Sequence, residues 1–226
     1  MKKVIFVAAL AGVLTACGTT GPQPTAQQKM DFQQAKASFN SIPDWFTETP
    51  KEDGAVYAVG DAVSSSASGA LSVARTNAFV ADASVPNGPK PEDYAGTGFD
   101  KGHMAPDGDM SWDQQVEYES FLMTNMAPQA GSLNRGAWKL LETAVRGWAV
   151  QTNNNYTILT GSVYNGDRYI GQGVVVPNQF YKIVINNNTK QVAAWWFPHV
   201  APYPNLGNDL TKFRVTVAEI TSRTGV

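Results

Sequence analysis

The sequence predicts an α+β fold, a central antiparallel sheet flanked by helices, and three observations carry that prediction. The runs "YTILTGSVY", "GVVVPNQFYKIVIN" and "KQVAAWWFP" are rich in β-branched and aromatic residues and are separated by turn residues, so they read as consecutive strands. The segment from Arg135 to Val150 has the apolar spacing of an amphipathic helix. The final "NDLTKFRVTVAEITSRTG" opens on Asn-Asp and closes on Gly, the start and stop signals of a further helix. Strands and helices grouped in this way favour a sheet that is mainly antiparallel.

A chain of 226 residues suits one hydrophobic core better than two. With 43% apolar and 16% charged residues, most of it is expected to fold. No self-similarity is apparent at periods of about 20 to 50 residues, which argues against a solenoid.

Taken in order, the first element is "MKKVIFVAALAGVLTAC": two lysines, a short apolar run, then small residues. This is the pattern of a secretory signal, and the apolar run is too short to favour a spanning helix. Leu14-Thr15-Ala16-Cys17 resembles the bacterial lipobox, which implies cleavage after residue 16 and lipidation of Cys17. Several acyl chains on one residue give stable anchoring. Gly18 rather than Asp after the cysteine points to the outer membrane. Cys17 is the single cysteine, so no intramolecular disulfide supports the fold. Loss of Lys2 and Lys3 leaves 15 basic and 19 acidic side chains, a net charge of −4. That balance disfavours a strongly basic, high-affinity nucleic-acid binder and restricts any such contact to a local basic cleft.

Residues 17–43 are polar and rich in Pro, Gln and Thr, and read as a flexible tether with a short helix around 27–38. The globular domain is expected over 44–226. Within it "AVYAVGDAV" reads as a strand, "SSSAS" as a loop, and "ALSVARTNAFV" as an amphipathic stretch of undecided type. "INNNTKQ" is a hairpin turn between two of the later strands. On the helix of 135–150, with about 100° between successive side chains, Ala137, Leu140, Leu141, Ala144, Val145 and Trp148 share one arc. Arg135, Lys139, Glu142 and Arg146 share the other. Taken alone, this is a surface helix capped by Asn134, with a solvated charged face.

"GTGFDKGHMAPDGDM" (96–110) holds one of two histidines in the chain, and "ESFLMTNMAPQAGSLNRGAWKLLETAVRGWA" follows it. Together these blocks resemble the DNA/RNA non-specific endonucleases. Those are ββα-metal (His-Me finger) nucleases with an Asp-Arg-Gly-His motif, here Asp-Lys-Gly-His. The resemblance runs from about Arg75 to the C-terminus. It rests on the order DKGH, Met-Ala-Pro, Asn-x2-Pro-Gln and Leu-Asn-x3-Trp-x2-Leu-Glu-x3-Arg.

The resemblance implies a ββα-metal nuclease fold and the metal-dependent hydrolysis of phosphodiester bonds in DNA and RNA, with little sequence preference. It makes His103 the general base, a role suited to imidazole near neutral pH. It makes Asn134 the ligand of Mg²⁺, with Mn²⁺ able to substitute. A neutral amide oxygen leaves most positions to water and phosphate, as a hard octahedral ion prefers. Glu142 then orients metal-bound water, Arg146 binds or neutralises phosphate, and Asn125 positions the site through hydrogen bonds. Asp100 is a structural acceptor, and Gly102 permits close backbone approach. Arg75 fits an Arg-x3-Phe-x2-Asp pattern and is assigned to phosphate binding. Lys101 and Arg135 are assigned to substrate binding, although Lys101 replaces an arginine and lacks its bidentate fork.

Other residues have blander readings. His199 lacks a partner motif and reads as structural. Of Trp195 and Trp196, adjacent in a strand, one is expected in the core. Asp107 and Asp109 lack the rest of a calcium loop and read as a solvated turn. No protein partner can be inferred. The alternative to a nuclease is a non-catalytic outer-membrane lipoprotein that keeps the fold as a binding module, and the presence of His103, Asn134 and Glu142 argues against it.

Overall fold

A computed structural model describes residues 73–152, 154–165 and 168–225, together with the strands Lys3–Ile5 and Ala62–Ser64. Cys17, the expected tether, the helix expected at 27–38 and most of "AVYAVGDAV" lie outside the described residues. Among the described residues no helix is long and apolar enough to cross a membrane.

The architecture is the expected one. Strands β1 (Lys3–Ile5) and β2 (Ala62–Ser64) pair with opposite ends of β5 (Tyr156–Tyr164). From there the sheet continues through β8 (Gln179–Asn186) and β9 (Val192–Pro198) to β10 (Arg214–Val215), antiparallel throughout. A separate ribbon pairs β3 (Phe99–His103) with β4 (Met126–Ala130), and a smaller one pairs β6 (Tyr169–Ile170) with β7 (Val174–Val175). Two short helices, α1 (Asp107–Met110) and α2 (Gln114–Ser120), lie between β3 and β4.

Helix α3 (Lys139–Thr152) follows β4 and covers one face of the main sheet. Ala137, Trp138, Leu141, Ala144, Val145 and Trp148 pack there on Ile158, Phe180, Val184, Trp195 and Phe197. A large apolar side chain buried in this way contributes about 1.5–3 kcal/mol. Helix α4 (Val217–Thr224) sits against the opposite face, where Ile220 joins Val163, Tyr181 and Ile183.

Three expectations need correction. Helix α3 does not begin at Arg135. Leu133–Trp138 form a wide π-type turn, broken by non-helical backbone at Gly136, and Asn134 lies inside it without capping anything. The closing helix is shorter than "NDLTKFRVTVAEITSRTG". Arg214 and Val215 instead pair with Trp195 and Ala194, and Thr216 with Glu219 forms the capping box of α4. The run "GVVVPNQFYKIVIN" splits around Pro177 into β7 and β8. The stretch left undecided forms, from Val73 onward, neither helix nor strand, and its one bridge joins Val80 to Leu122, just past α2.

Candidate active site

His103 ends β3, opposite Met126. Its ring lies edge-on to Phe121, 4.9 Å between centroids, and 5.8 Å from Phe79. Nε2 is buried and has no hydrogen-bond partner among the described residues. Burial lowers the imidazole from 6.5 to about 4; nearby Asp107 opposes this, and Arg75 adds to it. The ring is therefore neutral at physiological pH, the form that accepts a proton.

The backbone after His103 is pinned by Asn125. The Asn125 Oδ1 accepts from the Ala105 amide (3.0 Å), and Nδ2 donates to the Ala105 and Ser120 carbonyls (2.8 Å each). The Asn125 carbonyl accepts from the Met104 amide (2.9 Å). All of this side chain's donors are engaged, so Asn125 positions the site rather than reaching a reactant. Trp138 Nε1 donates to the His103 carbonyl (3.3 Å), which ties the strand to the start of α3.

Asp100, three residues before His103, faces the wide turn. Its Oδ2 accepts from Asn134 Nδ2 (3.0 Å) and pairs with Arg135 Nε (3.2 Å). It is the structural acceptor that the sequence indicated. Holding Asn134 by its nitrogen leaves Oδ1 as the oxygen able to take a ligand. Arg135 is the most exposed of the expected site residues, with a side chain 74% accessible.

Further along α3, Glu142 and Arg146 do not form the solvated face of a surface helix. Arg146 pairs with Asp109, whose side chain is almost fully buried. Arg75 pairs with Asp107 (2.6 Å) and lies 5.0 Å above the Phe121 ring, which it shares with His103. The expectation of a solvated turn at Asp107 and Asp109 is thus wrong. Both carboxylates are inward counter-charges that hold Arg75 and Arg146 at the site. Glu142 is largely buried, 3.8 Å from Lys182 Nζ. Burial raises its carboxyl well above the usual range, against the pull of Lys182 and Arg146 and with the push of Asp109 and Asp107. The Lys101 ammonium lies 5.1 Å from the Phe79 ring, which also flanks His103, and 5.8 Å from Tyr94.

Gly102 has a packing reason. A Cβ there would stand 2.3 Å from the Oε1 of Gln129, which is fully buried with both amide atoms unpartnered. Gln129, Trp138 and Lys182 were given no role from the sequence, and Asp109 was read only as part of a solvated turn. For Lys182 the available signal was a charge inside the apolar run "QFYKIVIN".

His199 is structural, as expected. Its Nε2 accepts from the Ala130 amide (2.8 Å), and its Nδ1 meets the Pro177 carbonyl (2.7 Å). These contacts fix the neutral tautomer with the proton on Nδ1. Trp195 is in the core, while Trp196 stacks on Tyr181.

The geometry is thus two antiparallel strands and a helix, with a histidine at the end of the first strand and, in the turn that leads into the helix, an Asn134 amide oxygen that has no hydrogen-bond partner among the described residues. The model of the DNA/RNA non-specific endonucleases matches residues 55–226. The chain belongs to this family. Among similar proteins, a nuclease of Nostoc sp. is 32% identical over 166 residues, covering 67% of this chain and 59% of that protein. The nuclease of Serratia marcescens is 34% identical over 149 residues (60% and 54%), and bovine mitochondrial endonuclease G is 33% identical over 105 residues (41% and 35%). The chain therefore spans about half the length of the relatives it matches. A crystal structure of an EndoG/EndoGI complex superimposes with a TM-score of 0.62 at 28% identity, covering 72% of this chain and 73% of that one.

The residues present fit the divalent ion implied by the endonuclease resemblance. No group of three or more His, Cys, Asp or Glu converges on a metal position among the described residues. A single amide oxygen suits Mg²⁺, which gives up its waters reluctantly and wants oxygen donors, better than a metal that needs thiolate or imidazole.

Proposed function

We propose that this protein is a metal-dependent, sequence-non-specific endonuclease that hydrolyses phosphodiester bonds of DNA and RNA. The observation that carries the reading is His103: a buried, neutral imidazole with an unpartnered Nε2, held at the end of β3 beside the helix that bears Asn134.

His103 takes a proton from the attacking water at Nε2. Asn134 holds Mg²⁺, or Mn²⁺ in its place, through Oδ1, while Asp100 fixes its orientation through Nδ2. When bound, the ion supplies charge to stabilise the phosphorane-like transition state and the leaving 3′ oxygen. Glu142 accepts hydrogen bonds from water around it. Arg146 and Arg75, preset by Asp109 and Asp107, neutralise the phosphate. Arg135 and Lys101 contact neighbouring phosphates. Contacts to the backbone carry no base information, which accounts for low sequence preference. Export with lipidation at Cys17 would remove β1 and leave β5 paired with β2 and β8, and would tether the domain at the outer membrane, outside the cytoplasm.

A plasmid-nicking assay tests the reading. The purified protein nicks with Mg²⁺ and stops in EDTA, and His103→Ala loses at least about a hundredfold of the rate, the low end for a general base. Absence of metal-dependent nicking, or a His103→Ala variant as fast as the parent, sinks it in favour of a binding module.

A further inference from the structure

Lys182 stands in the middle of β8 with 1% of its side chain accessible. A buried ammonium is costly unless its charge and its protons are matched. Its surroundings are few and specific. Nζ donates to Thr160 Oγ1 across the β5–β8 pairing (2.9 Å), lies 4.5 Å from the Trp138 ring centroid, and stands 3.8 Å from Glu142 Oε1.

Two of these contacts lead to the site. Glu142 Oε1 is buried with no hydrogen-bond partner among the described residues, so the ammonium is its direct electrostatic neighbour. The charged groups that face Glu142 are Lys182 from β8, Arg146 from its own helix, and Asp109 and Asp107 from α1. Arg146 is already paired with Asp109. Lys182 has its ion pair with Glu142 and with no other carboxylate among the described residues. Trp138, under the ammonium, donates to the carbonyl of His103. One side chain from the sheet thus touches both the carboxylate and the indole that anchors the histidine's backbone.

We propose that Lys182 is a positioning residue of the active site: from β8 it holds Glu142 as an oriented carboxylate and seats Trp138 against the His103 carbonyl. This rests on the nuclease reading. It also explains why a cation is placed where an apolar residue would pack more cheaply.

The test compares the parent with Lys182→Met, Glu142→Gln and the double variant on two readouts. In urea unfolding with EDTA, each single change leaves a buried group without its partner, so each lowers the midpoint. The double variant recovers most of that loss, a non-additive cycle. In cleavage, Lys182→Met lowers kcat about tenfold or more at neutral pH with KM within about twofold. Its acidic limb also moves upward by about half a pH unit or more, as expected for a carboxylate deprived of its cation. An additive cycle overturns the proposal, and so does a folded Lys182→Met with the parent's kcat and pH profile. Should Lys182→Met not fold, Thr160→Val removes the 2.9 Å hydrogen bond alone and gives a smaller shift in the same direction; parental behaviour there overturns the proposal. Should the parent cleave nothing, the nuclease reading falls, while the unfolding cycle still decides whether Lys182 holds Glu142.

Discussion

His103 has aromatic walls on two sides and a balanced Arg75–Asp107 pair nearby, so desolvation decides its protonation state. Burial lowers His199 as well. NMR titration of the imidazole C–H signals should therefore find His103 still neutral at pH 6 and His199 shifted below the usual imidazole value, and a titration of either near 6.5 contradicts this. The consequence for stability has a definite sign. With a folded value of about 4 and an unfolded value near 6.5, His103 binds fewer protons in the native state between those limits. Stability is thus lost as pH falls from 6.5 through 4. Gly102 gives a second prediction at this scale. Gly102→Ala drives a Cβ onto the buried Gln129 side chain and should cost about 1–3 kcal/mol in chemical denaturation. Adding Gln129→Ala should return part of that loss. The histidine, the glycine and Asp100 were legible in the motif. Gln129 was legible only as a letter in Asn-x2-Pro-Gln, because nothing in a sequence says which side chain lies over a neighbouring glycine.

At the scale of the element, α3 and the turn before it carry half of the site. The apolar arc was readable because helical periodicity reports burial directly, and Leu141, Ala144, Val145 and Trp148 are all in the core. The start was misread because Asn-Arg-Gly resembles a cap followed by a first turn, whereas the backbone widens there and breaks at Gly136. This difference is testable. Removing a capping Asn costs a helix about 1 kcal/mol. Asn134→Ala should instead leave the circular dichroism and the unfolding midpoint close to the parent's while abolishing most cleavage. Periodicity taken alone makes the polar arc solvated, because it does not reveal what packs over it. Here α1 does, through Asp109. Asp109→Asn should leave Arg146 without its counter-charge and lower stability by about 3 kcal/mol, the low end for breaking a buried pair, since Arg146 remains about a quarter exposed. Equilibrium unfolding measures it.

For the whole molecule, the charge balance is acidic, with 17 basic and 19 acidic side chains. If substrate contact rests on Arg75, Lys101, Arg135 and Arg146, the affinity for duplex DNA in EDTA should fall with salt at a log–log slope of about −3.6, near −0.9 for each phosphate neutralised. A slope steeper than about −5 would mean a wider basic surface than this one. The antiparallel sheet and its two covering helices were legible because each strand is a separate apolar run. Lys182 was not, since its partner Glu142 lies on another element and only the closed sheet brings them together. That dispersal has a practical outcome. The working parts are drawn from positions as far apart as Arg75 and Lys182, and none of them is assembled by local structure alone. Until β8 has docked under α3, the chain carries an ordinary histidine, a solvated glutamate and scattered cations. If the proposed nuclease activity holds, a newly made polypeptide of this kind is harmless to the nucleic acids around it, and cleavage is switched on by folding itself.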